Sequence, residues 1–453
     1  MHLDVISPVL ILGAGAVLVL LVALVAGEVG ALLRTVGLLV VAAAALASLA
    51  AHGTGFSGVV VAGPLSRVAD FVVLAGAAAA MTLPAPGRWG ERWSAYLALT
   101  LWAAAGMALT AASDNLIVLF LGVEVLSLGL YVLTAFAVED GRGAEAAFKY
   151  FILGGLGSGL LLMGAAFAFA GRGSLALSAQ PGWTGLPAGI GLALIVGGLA
   201  FKLALAPFQL WTPDVYEGAP TGVTAFMAVG TKAAAFIALA RVMLAAAPAA
   251  QGLVAVLGAV SMFVGYLLAM RQPGIKRLLA FSGIANAGTL VLALLAPAEF
   301  RAIAFAYLAA YAAATLGAFA VVAVVEARGP RADLDALRGL SGRAPWLAAA
   351  LIICLLSLAS VPLTGGFLAK LLLLEGLAHA GHPFLAVLVV LATVVGLYPY
   401  FRVILAVLAP ADGAAVPDAL SVAPRLPAPR LVAALAVLAT FAIGILPGPL
   451  LHG

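Results

Sequence analysis

Four ionisable residues stand inside long apolar runs of this sequence: Glu124 in NLIVLFLGVEVLSLGLYVL, and Lys202, Lys232 and Lys370. A carboxylate and amines of this kind can take up and hand on protons. A lysine out of water loses the hydration that favours its charged form, and a nearby carboxylate restores that form, so the group switches when its partner moves. Each such residue costs about 2.5 to 3.5 kcal/mol at the centre of a membrane helix. Helix glue and snorkelling to the interface compete with a functional reading, but four residues so placed are hard to treat as accidents. Lys149, Asp70, Arg241 and Arg402 lie nearer the ends of apolar runs. There the two readings balance for Lys149, and snorkelling is expected for the other three.

The composition explains why water is scarce around these groups. Hydrophobic residues fill 65% of the 453 positions and charged residues 9%, with a mean hydropathy of +1.21, whereas soluble domains are about half apolar and about a quarter charged. The chain is therefore an integral, all-α membrane protein, and its net charge of +4 reads as loop topology rather than as a nucleic-acid surface. Cys354 is the sole cysteine, which excludes an intrachain disulfide, a cysteine-ligated iron-sulfur cluster and a CxxC pair. The histidines, His2, His52, His379, His382 and His452, fall in termini or expected loops. Paired haem ligation within the membrane has no candidates, and electron transfer inside this chain is not expected. No glycine-rich phosphate loop follows a strand, and the first apolar segment is long and lacks the basic leader of a cleaved signal.

Stretches long enough to cross roughly 30 Å of hydrocarbon recur from Pro8–Ala26 to Leu431–Leu446 and give about fourteen spans in one membrane domain. Glu124 falls in the fifth span, Asn115–Ala137, roughly 13 Å from its start and so near the midplane. Lys202 falls in the seventh, Leu186–Trp211; Lys232 in the eighth, Ala219–Ala246; Lys370 in the twelfth, Ala344–Leu377. Basic residues collect in the loops after odd-numbered spans: Arg34; Arg88 and Arg92; Arg142; Arg271, Lys276 and Arg277; Arg328, Arg331, Arg338 and Arg343; Arg425 and Arg430; the loops after even-numbered spans hold little beyond Arg67, Arg172 and Arg301. The positive-inside rule then puts both termini outside the cytoplasm. The loop after the seventh span is the exception, being acidic at Asp214 and Glu217, which are therefore expected to be held within protein.

Pro207 has no N–H to give and is expected to break the seventh span one turn beyond Lys202. Ser360 to Gly366, SVPLTGG, interrupt the twelfth just before Lys370. Two broken helices that each carry a lysine suggest an internal repeat of transporter type. Gly155 and Gly159 form a GxxxG that reads as close helix packing. Ser282 and Asn286 could line a polar track or bind a neighbouring helix. Asp114, Glu139, Asp140 and Glu145 flank spans and read as solvated, with a proton entrance open to any of them.

The stretches LWTPDVYEGAPTGVTAFMAVGTKAAAF, FLGVEVLSLGLYVL, EAAFKYFILGG, KRLLAFSGIANAG and VPLTGGFLAK resemble, as a set, the subunit N family of proton-pumping NADH-quinone oxidoreductase, complex I. The resemblance runs from about Ala98 to Arg402. It implies two inverted five-helix repeats, 94–246 and 251–408, between an N-terminal part, 1–93, and a C-terminal span, 430–453, with the seventh and twelfth helices discontinuous. By the same resemblance Glu124, Lys202, Lys232 and Lys370 match the titrating residues of the fifth, seventh, eighth and twelfth helices, and Lys149 matches the lysine of the AxKYF motif. Gly222 departs from the family, which commonly has proline after APT, and the change is expected to loosen the start of the eighth helix.

The implied activity is proton translocation by one subunit of a translocase, with no redox step and no cofactor in this chain. FMN, iron-sulfur clusters and quinone are expected in other subunits. Partners would be other membrane-arm subunits, including further antiporter-like ones, the lipid bilayer and, indirectly, the peripheral redox arm; nucleic acid is not expected. The implied location is a bacterial plasma membrane. A subunit of an Mrp-type cation/proton antiporter or a stand-alone secondary transporter is the alternative, because these share the midplane Glu and Lys.

Overall fold

Hydrocarbon offers no water to backbone N–H and C=O groups, so apolar runs of this length satisfy them inside helices. The computed structural model describes residues 3–84, 89–136, 141–178, 182–246, 249–297, 301–327, 332–410 and 427–445. Arg88, Glu139, Asp140, Arg328, Arg331, Arg425, His2 and His452 lie outside these, as do both chain ends. Among the described residues 13 helices are long and apolar enough to cross a membrane. The expected twelfth span is not one of them because it is cut into Pro345–Leu358 and Gly365–His379. His379 thus closes a helix instead of lying in a loop.

The chain divides into two units, Met1–Val254 and Ala255–Gly453. The first opens with α1 (Ser7–Ala26) and α2 (Gly30–Ala50), followed by a short hairpin of β1 (Gly53–Gly55) and β2 (Val60–Ala62). This hairpin is the departure from an all-helical expectation; Val60 and Ala62 cluster with Val5, Ala51 and Ala112. Then come α3 (Pro64–Thr82), α4 (Trp93–Ala112), α5 (Leu116–Thr134), α6 (Arg142–Arg172) and α7 (Leu186–Leu203). The short α8 (Thr212–Gly218) and α9 (Thr221–Phe226) lead through a π turn, Met227–Thr231, into α10 (Lys232–Ala246). In the second unit α11 (Gln251–Ala269) carries the chain across the boundary, and α12 (Ile275–Leu292) and α13 (Arg301–Glu326) follow. After α14 (Leu340–Arg343) come α15 (Pro345–Leu358), α16 (Gly365–His379), α17 (Pro383–Leu408) and α18 (Pro427–Ile445). There α13 packs against α15, α16 and α18.

Small residues set the closest helix contacts, but not the expected pair. A Cβ on Gly155 or Gly159 would meet nothing within 4 Å, since both face outward. The packed face of α6 carries Gly157, Gly164 and Gly171, seven residues apart, against α7 at Gly191 and Gly198. A Cβ on Gly164 would sit 2.9 Å from the Gly191 carbonyl, and one on Gly191 would sit 2.6 Å from the Ala168 nitrogen. Gly222 is buried, and its Cβ position lies 3.0 Å from the Ala80 carbonyl of α3, so the missing side chain lets α9 lie directly on α3.

Both interrupted helices end in the same way. Ala204 (φ 59°) and Ser360 (φ 60°) are left-handed although neither is glycine. Around Ala204, the Ala204 N–H bonds the Phe201 carbonyl at 3.1 Å and the Leu205 N–H bonds the Ala200 carbonyl at 2.8 Å. Around Ser360, the N–H of Ser360 reaches Ser357 and that of Val361 reaches Leu356, both at 2.9 Å. This is the Schellman arrangement that satisfies terminal carbonyls. The first break therefore falls directly after Leu203, earlier than Pro207 alone would place it. Gly366 is required by the second, because a Cβ there would lie 1.9 Å from the Ser357 carbonyl.

The α4–α5 crossing is equally tight: a Cβ on Gly106 would lie 2.3 Å from the Leu126 nitrogen and 2.9 Å from the Gly122 carbonyl. Backbone cannot yield as a flexible side chain can, so Gly106→Ala is expected to destabilise the first unit by about 1 to 3 kcal/mol. Gly159→Ala is expected to change stability by less than about 0.5 kcal/mol. The thermal denaturation midpoints of the two purified variants check this.

Candidate functional site

Asn115 opens α5, its side-chain oxygen accepting from the N–H groups of Ile117 at 2.9 Å and Val118 at 3.4 Å. This cap fixes where the helix starts and so which face Glu124, Ser127 and Tyr131 share, at i, i+3 and i+7. Opposite that face, α7 delivers Lys202 in its last turn. The ammonium is 2% exposed and donates to the Ser127 hydroxyl at 2.7 Å, while Ser127 donates onward to the Val123 carbonyl. Glu124 accepts from Ser158 of α6. The two charged groups are close enough to interact electrostatically but form no ion pair within 4.0 Å, each being held by a serine instead.

Aromatic rings close the pocket. The Lys202 ammonium lies 5.4 Å from the Phe201 ring centroid, 5.8 Å from Tyr131 and 5.9 Å from Tyr150, within cation–π range. Tyr150 stacks on Trp211 at 4.5 Å and meets Tyr131 edge-on at 4.7 Å. Trp211 comes from beyond the break and donates its indole N–H to the Phe201 carbonyl at 3.1 Å. One side chain thus caps the half-helix and backs the Tyr150 ring that faces the lysine. The C-terminal end of that half-helix also carries partial negative charge, which suits a cation in the last turn.

Lys149 stands apart from this pocket. It pairs with Asp214 at 2.9 Å and Glu145 at 2.7 Å and keeps 41% of its side chain exposed. Gly218 makes the pairing possible, since α8 presses on α6 where a Cβ would lie 2.9 Å from the Arg142 carbonyl. These residues and Glu217 line a cleft of about 100 Å³. Of the two acidic residues expected within protein, Asp214 is half-buried and Glu217 is exposed. Such partly exposed pairs contribute little stability.

Lys232 is 1% exposed and follows directly on the π turn, in α10, which packs against α7 and α4. π turns inside helices recur at functional sites. In the second unit Lys370 is 5% exposed, on the second turn of α16 after the break, and no ion pair or hydrogen bond reaches its ammonium among the described residues. The lysines thus sit on opposite sides of their breaks, Lys202 before and Lys370 after. Asn286 and Ser282 bind neighbouring helices: Tyr400 of α17 lies 2.5 Å from Ser282 and 3.2 Å from Asn286, and Tyr307 of α13 donates to Asn286 at 2.9 Å. A cavity of about 10 Å³ beside Asn286, Tyr307 and Ser360 has room for about one water.

The other charged residues near span ends are engaged within the protein. Arg241, 8% exposed, donates to the Ala111 carbonyl at 2.9 Å and the Val61 carbonyl at 3.0 Å. Arg402 grips the Met270 and Gln272 carbonyls, and Asp70 is buried. Backbone carbonyls stand in for interfacial water. Ser127, Ser158, Tyr131, Tyr150 and Trp211 were not singled out from sequence. Only Ser127 and Tyr131 carried a signal, their helical spacing from Glu124.

A family described as NADH:quinone oxidoreductase/Mrp antiporter, TM, matches residues 113–396. The chain is 41% identical to NADH-quinone oxidoreductase subunit N 1 of Symbiobacterium thermophilum, over 98% of this chain and 96% of that one. The chain belongs to the subunit N family. Among solved structures, a chain of respiratory complex I from Thermus thermophilus superimposes with a TM-score of 0.84 at 36% identity, covering 98% of each chain. A chain of the Mrp complex from Dietzia sp. DQ12-45-1b superimposes at 0.85 over 100% of this chain and 96% of that one, but at 22% identity it shows the fold alone.

Within this subunit N site, Ser127 supplies the one hydrogen bond to the buried Lys202 ammonium among the described residues. Ser127→Ala is expected to remove about 1.5 kcal/mol of that interaction and slow coupled turnover by roughly tenfold, whereas Ser127→Thr keeps the hydroxyl and most of the rate. Quinone-reductase and proton-pumping rates of the assembled variants check this.

Proposed function

We propose that this chain translocates protons as an antiporter-like subunit of an NADH-quinone oxidoreductase, with quinone reduction carried out by other subunits. The observation that carries the reading is the pocket that holds Glu124 and Lys202 apart on two serines beside a broken helix, in a member of the subunit N family. Glu124 holds Lys202 charged. When coupling from neighbouring subunits weakens that interaction, Lys202 passes its proton through water toward Lys232. Lys232 relays it, and Lys370 receives or releases it in the second repeat.

Charge transfer of this kind suits an indirect pair. A direct pair at about 4 Å is worth roughly 4 kcal/mol at an effective dielectric near 20, and the attraction falls with distance. Separation by serines leaves a weaker hold that a modest rearrangement can undo. Lys149, paired with Asp214 at the surface cleft, adjoins Tyr150, which covers Lys202. The reading includes two inverted five-helix repeats, 94–246 and 251–408, a bacterial plasma membrane location with both termini outside the cytoplasm, and no cofactor held by this chain.

The Mrp-type alternative shares the fold. Copurifying flavin and iron-sulfur subunits favour the oxidoreductase, and copurifying antiporter subunits favour the alternative. Lys202→Ala and Glu124→Ala are each expected to leave assembly intact while depressing proton pumping and quinone-reductase turnover. Both rates are measured on the assembled complex in liposomes, and full pumping by an assembled Lys202→Ala complex would sink the relay.

A further inference from the structure

Asp70 lies on α3, outside the elements that carry Glu124 and the buried lysines. It is 7% exposed. Ser48 of α2 donates to its Oδ2 at 2.6 Å, whereas its Oδ1 is buried and has no hydrogen-bond partner. Arg67, one turn earlier on the same helix, is the charged group that acts on it among the described residues. The guanidinium is committed elsewhere, with Nε donating to the Ser48 carbonyl at 3.2 Å and a terminal nitrogen to the Ala51 carbonyl at 3.3 Å. Helix α10, which also packs on α3, brings Arg241, but its guanidinium is committed to the Ala111 and Val61 carbonyls. The residues that share the cavity with Asp70 are uncharged, among them Pro8 and Val9 of α1, Ser66 of α3, Ala62 of β2, and Ala108 and Ala112 of α4. With Asp70 and Ser48 these line a cavity of about 10 Å³, the space of one water.

An ionised carboxylate in such surroundings needs a paired cation or several donors to hold its charge. Among the described residues the Ser48 hydroxyl is the one donor bonded to it. The cavity has no room for a cation with its hydration shell, so the species that fits is a proton. We propose that Asp70 is a proton-binding carboxyl, served by a single water in this cavity and separate from the Glu124 and lysine relay. A proton that reaches the cavity water as hydronium passes to Oδ1, leaving a neutral water to which the new O–H donates; release returns the proton to that water, which carries it away as hydronium. The N-terminal helices α1 to α3 thereby hold a titrating group of their own. Nothing in this inference depends on the relay or on the direction of pumping.

Infrared difference spectra of the purified assembled complex, recorded as a function of pH in H2O and D2O, test it. The expected result is a carboxylic-acid C=O band that shifts on deuteration, is lost in Asp70→Asn, and moves to higher frequency in Ser48→Ala, which keeps the acid but removes its hydrogen bond. Identical acid bands in the wild-type and Asp70→Asn complexes overturn the proposal. So does a band that responds to sodium at constant pH, since that would make the cavity a cation site. Should Asp70→Asn not assemble, Ser48→Ala decides alone: a moved band supports the proposal and an unmoved one overturns it.

Discussion

Ending a helix inside hydrocarbon leaves carbonyls that water cannot reach, and the aromatic side of the Lys202 pocket follows from how those carbonyls are satisfied. The turn at Ala204 pairs the Ala200 and Phe201 carbonyls with backbone N–H groups, and Trp211 gives Phe201 a second donor. That indole then lies where it stacks on Tyr150, whose ring faces the lysine. The left-handed Ala204 carries strain that a glycine would avoid, of order 1 to 2 kcal/mol. The same turn recurs at Ser360, where the Ser357 carbonyl is paired and Gly366 is admitted against it.

A broken helix gives a lysine what a continuous one withholds. An unbroken α7 would carry its dipole past Lys202, whereas the break leaves the negative end of the half-helix at the ammonium. Serine hydroxyls complete the setting because they both accept and donate. Ser127 takes the ammonium proton's hydrogen bond and passes its own to Val123, and Ser158 donates to Glu124. A pair linked in this way is held without being locked. In the second unit the lysine stands after the break instead, and the polar residues of α12, α13 and α17 are bonded among themselves.

Much of this was legible in the residues, unevenly. One rule, that an ionisable group in a membrane helix needs a reason, picks out Glu124, Lys202, Lys232 and Lys370, all described on helices and the three lysines buried. Proline and glycine mark the two breaks but misplace the first, because a left-handed alanine leaves no mark in sequence. Asp70 reads as snorkelling until α2 brings Ser48, 22 residues away, against it. Gly155 and Gly159 match a known motif and face outward, while the seven-residue spacing of Gly157, Gly164 and Gly171 was there to be read. Partners such as Ser158 and Trp211 depend on tertiary contacts that no local pattern encodes.

The central claim is that Glu124 and Lys202 act as one coupled unit although no direct ion pair joins them. A double-mutant cycle on coupled proton pumping in liposomes, with Glu124→Gln, Lys202→Met and the combination, measures that coupling directly. The account predicts that the double variant loses little more than the worse single variant, because removing either partner already disables the unit. Losses that simply add would mean that the two residues act independently and would contradict it.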